Sequence, residues 1–198
     1  MAPVGIARCT NLEAFSGGAD AEEDESLRKR ILDSYKRLPN GANAAFYQQG
    51  ALSFEQVAAA TVLPRNRGIG TVDVVIASHA GIPDDELLAL VQTYFEERRE
   101  IAVDVSVLAP SAQAVDVSVT ITPAEGYDLS TVSTAVETAL RGYFDGKLLS
   151  QGVLRAKLGH LIYSVEGVEN YQVIAPADDV AAASGVLPVL GELAVSAL

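Results

Sequence analysis

The sequence predicts an α+β fold, with an N-terminal helical segment followed by two small lobes of strands with helices packed on one face. Three observations support this prediction. Apolar and polar residues alternate in several short runs, as they do in half-buried strands. Between those runs, apolar residues recur every three or four positions, as on one face of a helix. Hydrophobic residues make up 49% of the 198 positions, which is enough to build a core.

The N-terminal part is predicted to be a linker and a helical segment. Residues 1–19 are small and contain glycine, so we interpret them as a linker or as the remnant of a missing N-terminal region. Residues 20–53 are predicted to be helical, because acids open the segment and an apolar stripe follows at helical spacing. The stripe consists of Leu27, Ile31, Tyr35 and Leu38. Asn43 is expected to cap a short second helix that reaches about Ala51.

Residues 54–110 are predicted to form the first lobe. The run 57–63 is apolar and rich in alanine, which leaves it open between strand and helix. Beyond a turn rich in glycine we predict a strand, a helix that starts at Pro83, and a second strand. Their predicted ranges are 71–77, 83 or 86 to 99, and 103–108.

Residues 111–198 are predicted to form the second lobe, and Pro110 to Ala114 reads as the boundary before it. Alternation over 115–122 is the clearest strand signature in the chain. A helix capped by Asp128 or Ser130 is expected next. Further elements are a helix at 152–163, a strand at 171–175 and a final edge strand at 185–198.

The two periodicities also predict which side chains are buried. Residues at helical or alternating positions in both lobes should face the core. These are Leu88, Val91, Phe95, Val105, Val117, Val136, Leu140 and Leu158. Leu154, Leu161 and Ile162 are expected to face inward with Leu158.

Charge and cysteine content exclude several classes of protein. The formal net charge of −12 argues against binding to a nucleic-acid backbone, which needs clustered Lys and Arg. The single cysteine, Cys9, excludes an intramolecular disulfide and a thiolate metal cluster. No signal-peptide pattern opens the chain, and no apolar run approaches the roughly 20 residues of a membrane span. We therefore expect a soluble protein made in a cytoplasm.

No motif in the sequence points to catalysis, to a metal or to a cofactor. The glycines of 68–71 precede a strand, whereas a dinucleotide-binding fingerprint needs glycines after one, so they are expected to form a turn. His79 and His160 have no second His or Cys at ligand spacing. Cys9 lies in the small-residue N-terminal region, a poor place to hold catalytic geometry. A hydrolase that uses Cys9 or His79 remains the least favoured hypothesis.

Several segments, in this order and spacing, resemble the baseplate J-like family of contractile-tailed phages and related injection machines. The combination of Gly-Gly-x-Asp-x-Glu-x-Asp-x-x-Leu-Arg with Gly-x-Gly-Thr-Val is the most specific part of the resemblance. The stretches are 15–32, 39–47 with Ala51, 68–76, 86–95, 115–121 and 187–192. Family members usually have a further N-terminal region, so the chain is expected to be the C-terminal portion or a short member.

The resemblance implies a structural wedge subunit of a baseplate, with no enzymatic role and no cofactor. The implied partners are other baseplate and tail proteins, and also copies of the chain itself. The implied location is the virion tail baseplate, assembled in the host cytoplasm, and a phage or a bacterial injection machine is equally compatible with the resemblance. The candidate subunit contact is Leu27, Arg28, Ile31 and Tyr35. The alternative function is that of a free-standing α+β module, which either binds a small ligand or has a regulatory role.

Overall fold

The computed structural model describes residues 23–36 and 43–198, and the contacts between Cα atoms group the chain into two units, 1–38 and 39–198. The first unit contains the helix α1 (Asp24–Lys36), whose first turn carries the predicted acids Asp24 and Glu25. Acids at this end stabilise a helix because its unpaired N–H groups form the positive end of the dipole.

The second unit alternates helices and strands in the way that the sequence periods predict. In chain order it contains α2 (Ala44–Leu52), β1 (Val57–Pro64), β2 (Thr71–Ser78), α3 (Asp85–Glu96), β3 (Asp104–Leu108), β4 (Ser111–Pro123), α4 (Leu129–Tyr143), a 3₁₀ turn (Gly146–Leu148), α5 (Arg155–Tyr163), β5 (Val168–Ala175) and β6 (Val186–Ala197). The prediction of an α+β fold is confirmed, and the run left open between strand and helix is the strand β1.

The first sheet has the strand order β1-β2-β3, with β1 antiparallel to β2 and β2 parallel to β3. The crossover from β2 to β3 is α3, as a parallel pair requires a long connection. Side chains of α2 and α3 pack on one face of this sheet, with Tyr47, Val91 and Phe95 completely buried.

The second sheet has the order β5-β4-β6, so β6 is an edge strand, as predicted. The central strand β4 is antiparallel to β5 and parallel to β6. Alternate residues of β4 face α4 and α5, which cover one side of the sheet. The fully buried members of this core include Val119, Ile121, Val136, Leu140 and Ile162.

A third apolar cluster joins the two sheets. Val75 and Ala77 of β2 pack with Leu148, Leu149 and Leu187, which all come from the second half of the unit. The 3₁₀ turn and the residues that follow it therefore lie on the face of the first sheet that α2 and α3 leave free.

Ser150 adds hydrogen bonds to this junction. Its Oγ lies 2.8 Å from Thr61 Oγ1 on β1 and accepts a hydrogen bond at 2.9 Å from the N–H of Gly185. Ser150 has a φ of 61°, in the left-handed region that few side chains adopt. The tight turn at this position places one hydroxyl between strands of both sheets.

The residues predicted to cap α2 and α4 include the caps that the structure shows. Asn43 Oδ1 accepts a hydrogen bond at 2.8 Å from the N–H of Phe46, which confirms the predicted cap of α2. Of the two residues predicted for α4, the cap is Asp128, whose Oδ2 accepts from the N–H of Thr131 at 3.2 Å. Ser130 instead donates to that same carboxylate.

The predicted core is confirmed except for three leucines, one of which, Leu161, is partly buried. Leu88 is only partly buried, because Leu87 takes the inward position on α3. Leu154 was expected to face inward and is exposed. It stands at the N-cap of α5 with extended backbone, and since the helix starts at Arg155 rather than 152, helical spacing does not apply to it. Apart from these three leucines, the predicted core residues are buried.

One boundary also differs from the prediction. β4 begins at Ser111, so the residues after Pro110 that were read as a boundary already pair with β6. Their side chains are exposed, which explains why no apolar alternation marked them as a strand.

Candidate protein–protein contact surfaces

The predicted contact residues lie on α1. Leu27 is 37% and Ile31 44% exposed, and residues four apart lie on the same side of a helix. Arg28 forms an ion pair with Glu25 one turn earlier. The side chain of Tyr35 lies outside the described residues, as does Leu38. Leu32, which sequence reasoning did not select, is also exposed beside Ile31, and its apolar type directly after Ile31 was a signal for a wider stripe.

A second exposed apolar surface lies at one end of the first sheet, and we call it the tip. It consists of the loops 65–70 and 97–103, which are held together by a hydrogen bond of 2.8 Å from the N–H of Asp104 to the carbonyl of Gly70. Ile69 is 97% exposed and Ile101 is fully exposed. Sequence reasoning missed both residues, although an isoleucine between two glycines is an unusual choice for a turn.

A polar network underlies the tip. The buried carboxylate of Asp73 accepts a hydrogen bond from Arg67 Nε at 2.6 Å and another from Asn66 Nδ2 at 2.8 Å. Arg67 Nη1 reaches Asp104 Oδ2 at 2.5 Å. Arg67 therefore links the loop before β2 to the first residue of β3, and it fixes the backbone from which Ile69 projects.

The charge state of Asp73 follows from this network. Burial by itself would raise the pKa of the carboxyl group, because it disfavours the charged form. The hydrogen bonds from Arg67 and Asn66, together with the positive charge of Arg67, outweigh burial and leave the pKa below its usual value. Asp73 is thus ionised at neutral pH and serves as a structural anchor.

A surface depression lies beside His79, with a volume of about 620 Å³. Its polar groups are engaged in local structure. His79 Nε2 lies 3.2 Å from the carbonyl oxygen of Glu55, and Asp84 caps α3 by accepting from the N–H of Leu87 at 2.8 Å. Ser78 and His79 both line the depression, but the Ser78 hydroxyl donates to the carbonyl oxygens of Gly81 and Ile82 rather than to His79.

The other residues considered for chemistry are dispersed. His160 lies on the exposed side of α5, far along the chain from His79, and Cys9 falls outside the described residues. Within residues 23–36 and 43–198, no group of three or more His, Cys, Asp or Glu side chains is placed to hold a metal ion. None of the helices in that part of the chain is both long enough and apolar enough to cross a membrane.

These observations describe an α+β protein with exposed apolar side chains on α1 and at the tip. Comparison with known families agrees with this class. The model of the baseplate J-like central domain matches residues 39–109, and the model of the baseplate J-like protein C-terminal domain matches residues 115–196. The chain belongs to the baseplate J-like family.

Relatives and solved structures extend the comparison. The protein JayE of Escherichia coli (strain K12) is 27% identical over 186 residues, which cover 91% of this chain and 69% of JayE. The protein YqbT of Bacillus subtilis (strain 168) is 24% identical over 201 residues, or 96% of this chain and 58% of YqbT. A chain in the cryo-EM structure of the anti-feeding prophage baseplate has a TM-score of 0.61. That match covers 89% of this chain and 43% of that chain, and at 9% identity it shows the shared fold.

Proposed function

We propose that this chain is a structural subunit in the baseplate of a contractile phage tail or of a phage-tail-like injection machine. It acts through contacts with other baseplate proteins, and it has no catalytic role. The observation that carries the proposal is the consecutive match of the central and C-terminal domain models across residues 39–196.

Two surfaces are proposed as contacts. One is the predicted contact on α1, with Leu27, Arg28, Ile31 and Tyr35 as its candidate residues, and it is supported by the exposure of Leu27 and Ile31. The other is the tip with Ile69 and Ile101, whose exposed apolar side chains are supported from below by the Arg67 network. Exposed apolar patches of this kind mark protein interaction sites.

The partners proposed for these surfaces are other baseplate and tail proteins, with copies of the chain as a further possibility to test. The proposed location is the tail baseplate, assembled in the host cytoplasm. The division into 1–19, 20–53, 54–110 and 111–198 is kept as a proposal, and the gap between the two matching family models at 109–115 supports its last boundary.

The alternative of a free-standing ligand-binding module needs a pocket with convergent polar groups. The depression beside His79 is one concave place of suitable volume, about 620 Å³. Two of its polar side chains, Asp84 and Ser78, already serve a helix cap and a turn, which weakens the case for the alternative.

The experiment that tests the proposal is deletion of the gene, with complementation by the wild-type chain and electron microscopy of tails. We expect incomplete or unstable baseplates without the chain and normal tails after complementation. A tagged chain should also co-purify with the products of neighbouring tail genes. Normal, active tails in the deletion strain, with no tagged chain in purified tails, would contradict the proposal.

A further inference from the structure

At each edge of the first sheet, a glutamine from a covering helix binds main-chain groups of the edge strand. Gln48 of α2 donates from Nε2 to the carbonyl of Ala60 on β1, at 3.1 Å. Gln92 of α3 donates to the carbonyl of Val105 at 2.9 Å and accepts from the N–H of Val107 at 2.7 Å. Side chains that bind edge main-chain groups prevent another strand from pairing there.

One edge of the second sheet is treated in the same way. Arg155 of α5 donates from Nη2 to the carbonyl of Val173 on β5, at 2.9 Å, and its Nη1 donates to the carbonyl of Pro176. The opposite edge is β6, and no side chain in the described part of the chain is hydrogen-bonded to the outer edge of its residues 193–197. Over residues 193–197, β6 is thus an edge strand without this protection from the described part of the chain.

Two hydrogen bonds fix which main-chain groups of β6 point outward. The N–H of Glu192 donates to Asp116 Oδ1 at 2.8 Å, and the N–H of Leu198 donates to the carbonyl of Ile121 at 2.9 Å. Both acceptors belong to β4. Because successive residues of a strand direct their main-chain groups to opposite sides, residues 194 and 196 also face β4. The outward N–H and C=O groups belong to Leu193, Val195 and Ala197.

We propose that the outer edge of β6, residues 193–197, binds an extended segment of another baseplate protein by strand addition. In this mode main-chain hydrogen bonds supply affinity, and alternate side chains supply specificity. The inference rests on the proposed function for the origin of the segment, but it concerns a different surface from α1 and from the tip.

The side chains along the outer edge of β6 indicate which residues the bound segment should carry. Leu193 and Val195 are partly buried against the core beneath α4 and α5, so apolar side chains at alternate positions of an added strand extend that core. Ala194 and Ser196 lie on the other face and leave room for larger partners. Glu192 at the start of the exposed stretch, on a chain of net charge −12, favours a Lys or Arg in the segment.

A second copy of this chain fits the edge less well. Three outward residues from each copy give an interface far below the roughly 1,200–2,000 Å² of a stable complex. Each copy also carries a net charge of −12, which repels another copy. A segment of a different, more basic protein avoids the repulsion and has further surface with which to bind.

Hydrogen–deuterium exchange with single-amide resolution provides the test, because neighbouring amides of one strand serve as mutual controls. In the purified chain, the amides of residues 193, 195 and 197 should exchange faster than those of 194, 196 and 198, which face β4. In purified assembled baseplates, the three outward amides should slow by about tenfold or more, while the inward amides change little.

Ala197→Pro tests the same edge by substitution. Proline removes the outward N–H of residue 197 and is tolerated at sheet edges whose N–H faces solvent. The matched control is Ala197→Thr, which changes the side chain but keeps the N–H. We expect Ala197→Pro to lower incorporation into tails by about tenfold, the change that 1.4 kcal/mol produces. Its thermal unfolding midpoint should match that of Ala197→Thr, and Ala197→Thr should be incorporated normally.

Three results would overturn the inference. If the chain enters baseplates and the outward amides stay unprotected, strand addition is wrong while the proposed function stands. Protection in the purified chain alone that rises with concentration would identify a second copy as the occupant. If the chain is absent from baseplates, the proposed function and this inference fall together.

Discussion

Gly146 lies so close to Ser78 that a Cβ atom at position 146 would come within 1.9 Å of the Ser78 carbonyl oxygen. This contact brings the 3₁₀ turn against the end of β2. It positions Leu148 and Leu149 on the free face of the first sheet, where they help to form the cluster shared by both sheets. Only glycine permits this approach without displacing main chain.

Gly146→Ala should destabilise the folded chain by about 2 kcal/mol or more, because the methyl group must push the turn away from the sheet. The measurement is urea-induced unfolding. Gly142→Ala is the control, since no atom lies within 4 Å of a Cβ there and alanine favours the helix by about 0.5–1 kcal/mol. Equal unfolding midpoints for the two variants would show that the turn does not hold the sheets together.

Asp73→Asn should lower the free energy of unfolding at pH 7 by about 2 kcal/mol, since it removes the buried charge that Arg67 and Asn66 bind. The loss of stability should stay below that for a fully buried ion pair. The Arg67 side chain is 38% exposed, so water can solvate its guanidinium group when Asp73 no longer carries a charge. Asp104→Asn is the control. The Asp104 side chain is 65% exposed, and its loss should change stability by less than about 1 kcal/mol.

The stabilisation by Asp73 should also depend on pH. Its pKa is lower in the folded chain than in the unfolded chain, so the unfolded chain takes up more protons as the pH falls. The contribution is complete above the ordinary Asp pKa of about 4, and it is lost as the pH falls through the lower folded pKa. Unfolding of wild type and Asp73→Asn should therefore differ by a constant amount above about pH 5 and converge below about pH 4. A difference that grows in acid would contradict this account.

The double substitution of Leu27 and Ile31 by Ser tests the contact on α1. Both side chains are already partly exposed, so we expect the thermal unfolding midpoint to change by only a few degrees. Incorporation into tails should fall several-fold if their apolar surface is buried by a partner. Leu90→Ser is a suitable control, since Leu90 is an exposed leucine on α3. Lost stability with normal incorporation of the folded fraction would identify α1 as an ordinary core helix.

Gln92→Ala should expose the edge of β3. The carbonyl of Val105 and the N–H of Val107 lose their partner, which should cost about 1–2 kcal/mol. The uncovered edge should also increase self-association at high concentration, measurable by light scattering. Gln172→Ala is the control. It removes an exposed glutamine from β5 and should change neither the stability nor the self-association of the chain. Monomeric behaviour of Gln92→Ala, indistinguishable from this control, would show that Gln92 does not protect the edge.

Local features of the fold were predictable from sequence because their causes lie within a few residues. Asn43 caps α2 through a hydrogen bond to a residue three positions later, and Val136 is buried because its neighbours repeat at helical spacing. The same logic failed for Leu154, because the predicted helix begins at 152 whereas α5 begins at Arg155, one residue after Leu154.

The junction and the tip depend on contacts between distant parts of the chain. Thr61 and Ser150 meet across 89 positions, and Arg67 reaches Asp104 across 37. No periodicity within a segment encodes such pairs. Of the candidate contact residues, Leu27 and Ile31 were accessible to sequence reasoning because they share a helical face. Ile69 and Ile101 were not, since only the fold brings their two loops together.

The cluster formed by Val75, Ala77, Leu148, Leu149 and Leu187 has a mechanical consequence. A tensile force applied between the first and second sheets cannot simply extend the short link between β3 and β4. It must first pull Leu148 and Leu149 out of their apolar site. These apolar contacts therefore resist separation of the sheets in addition to the covalent link. The two sheets of the second unit should therefore move together under load, up to the force at which Leu148 and Leu149 leave their apolar site.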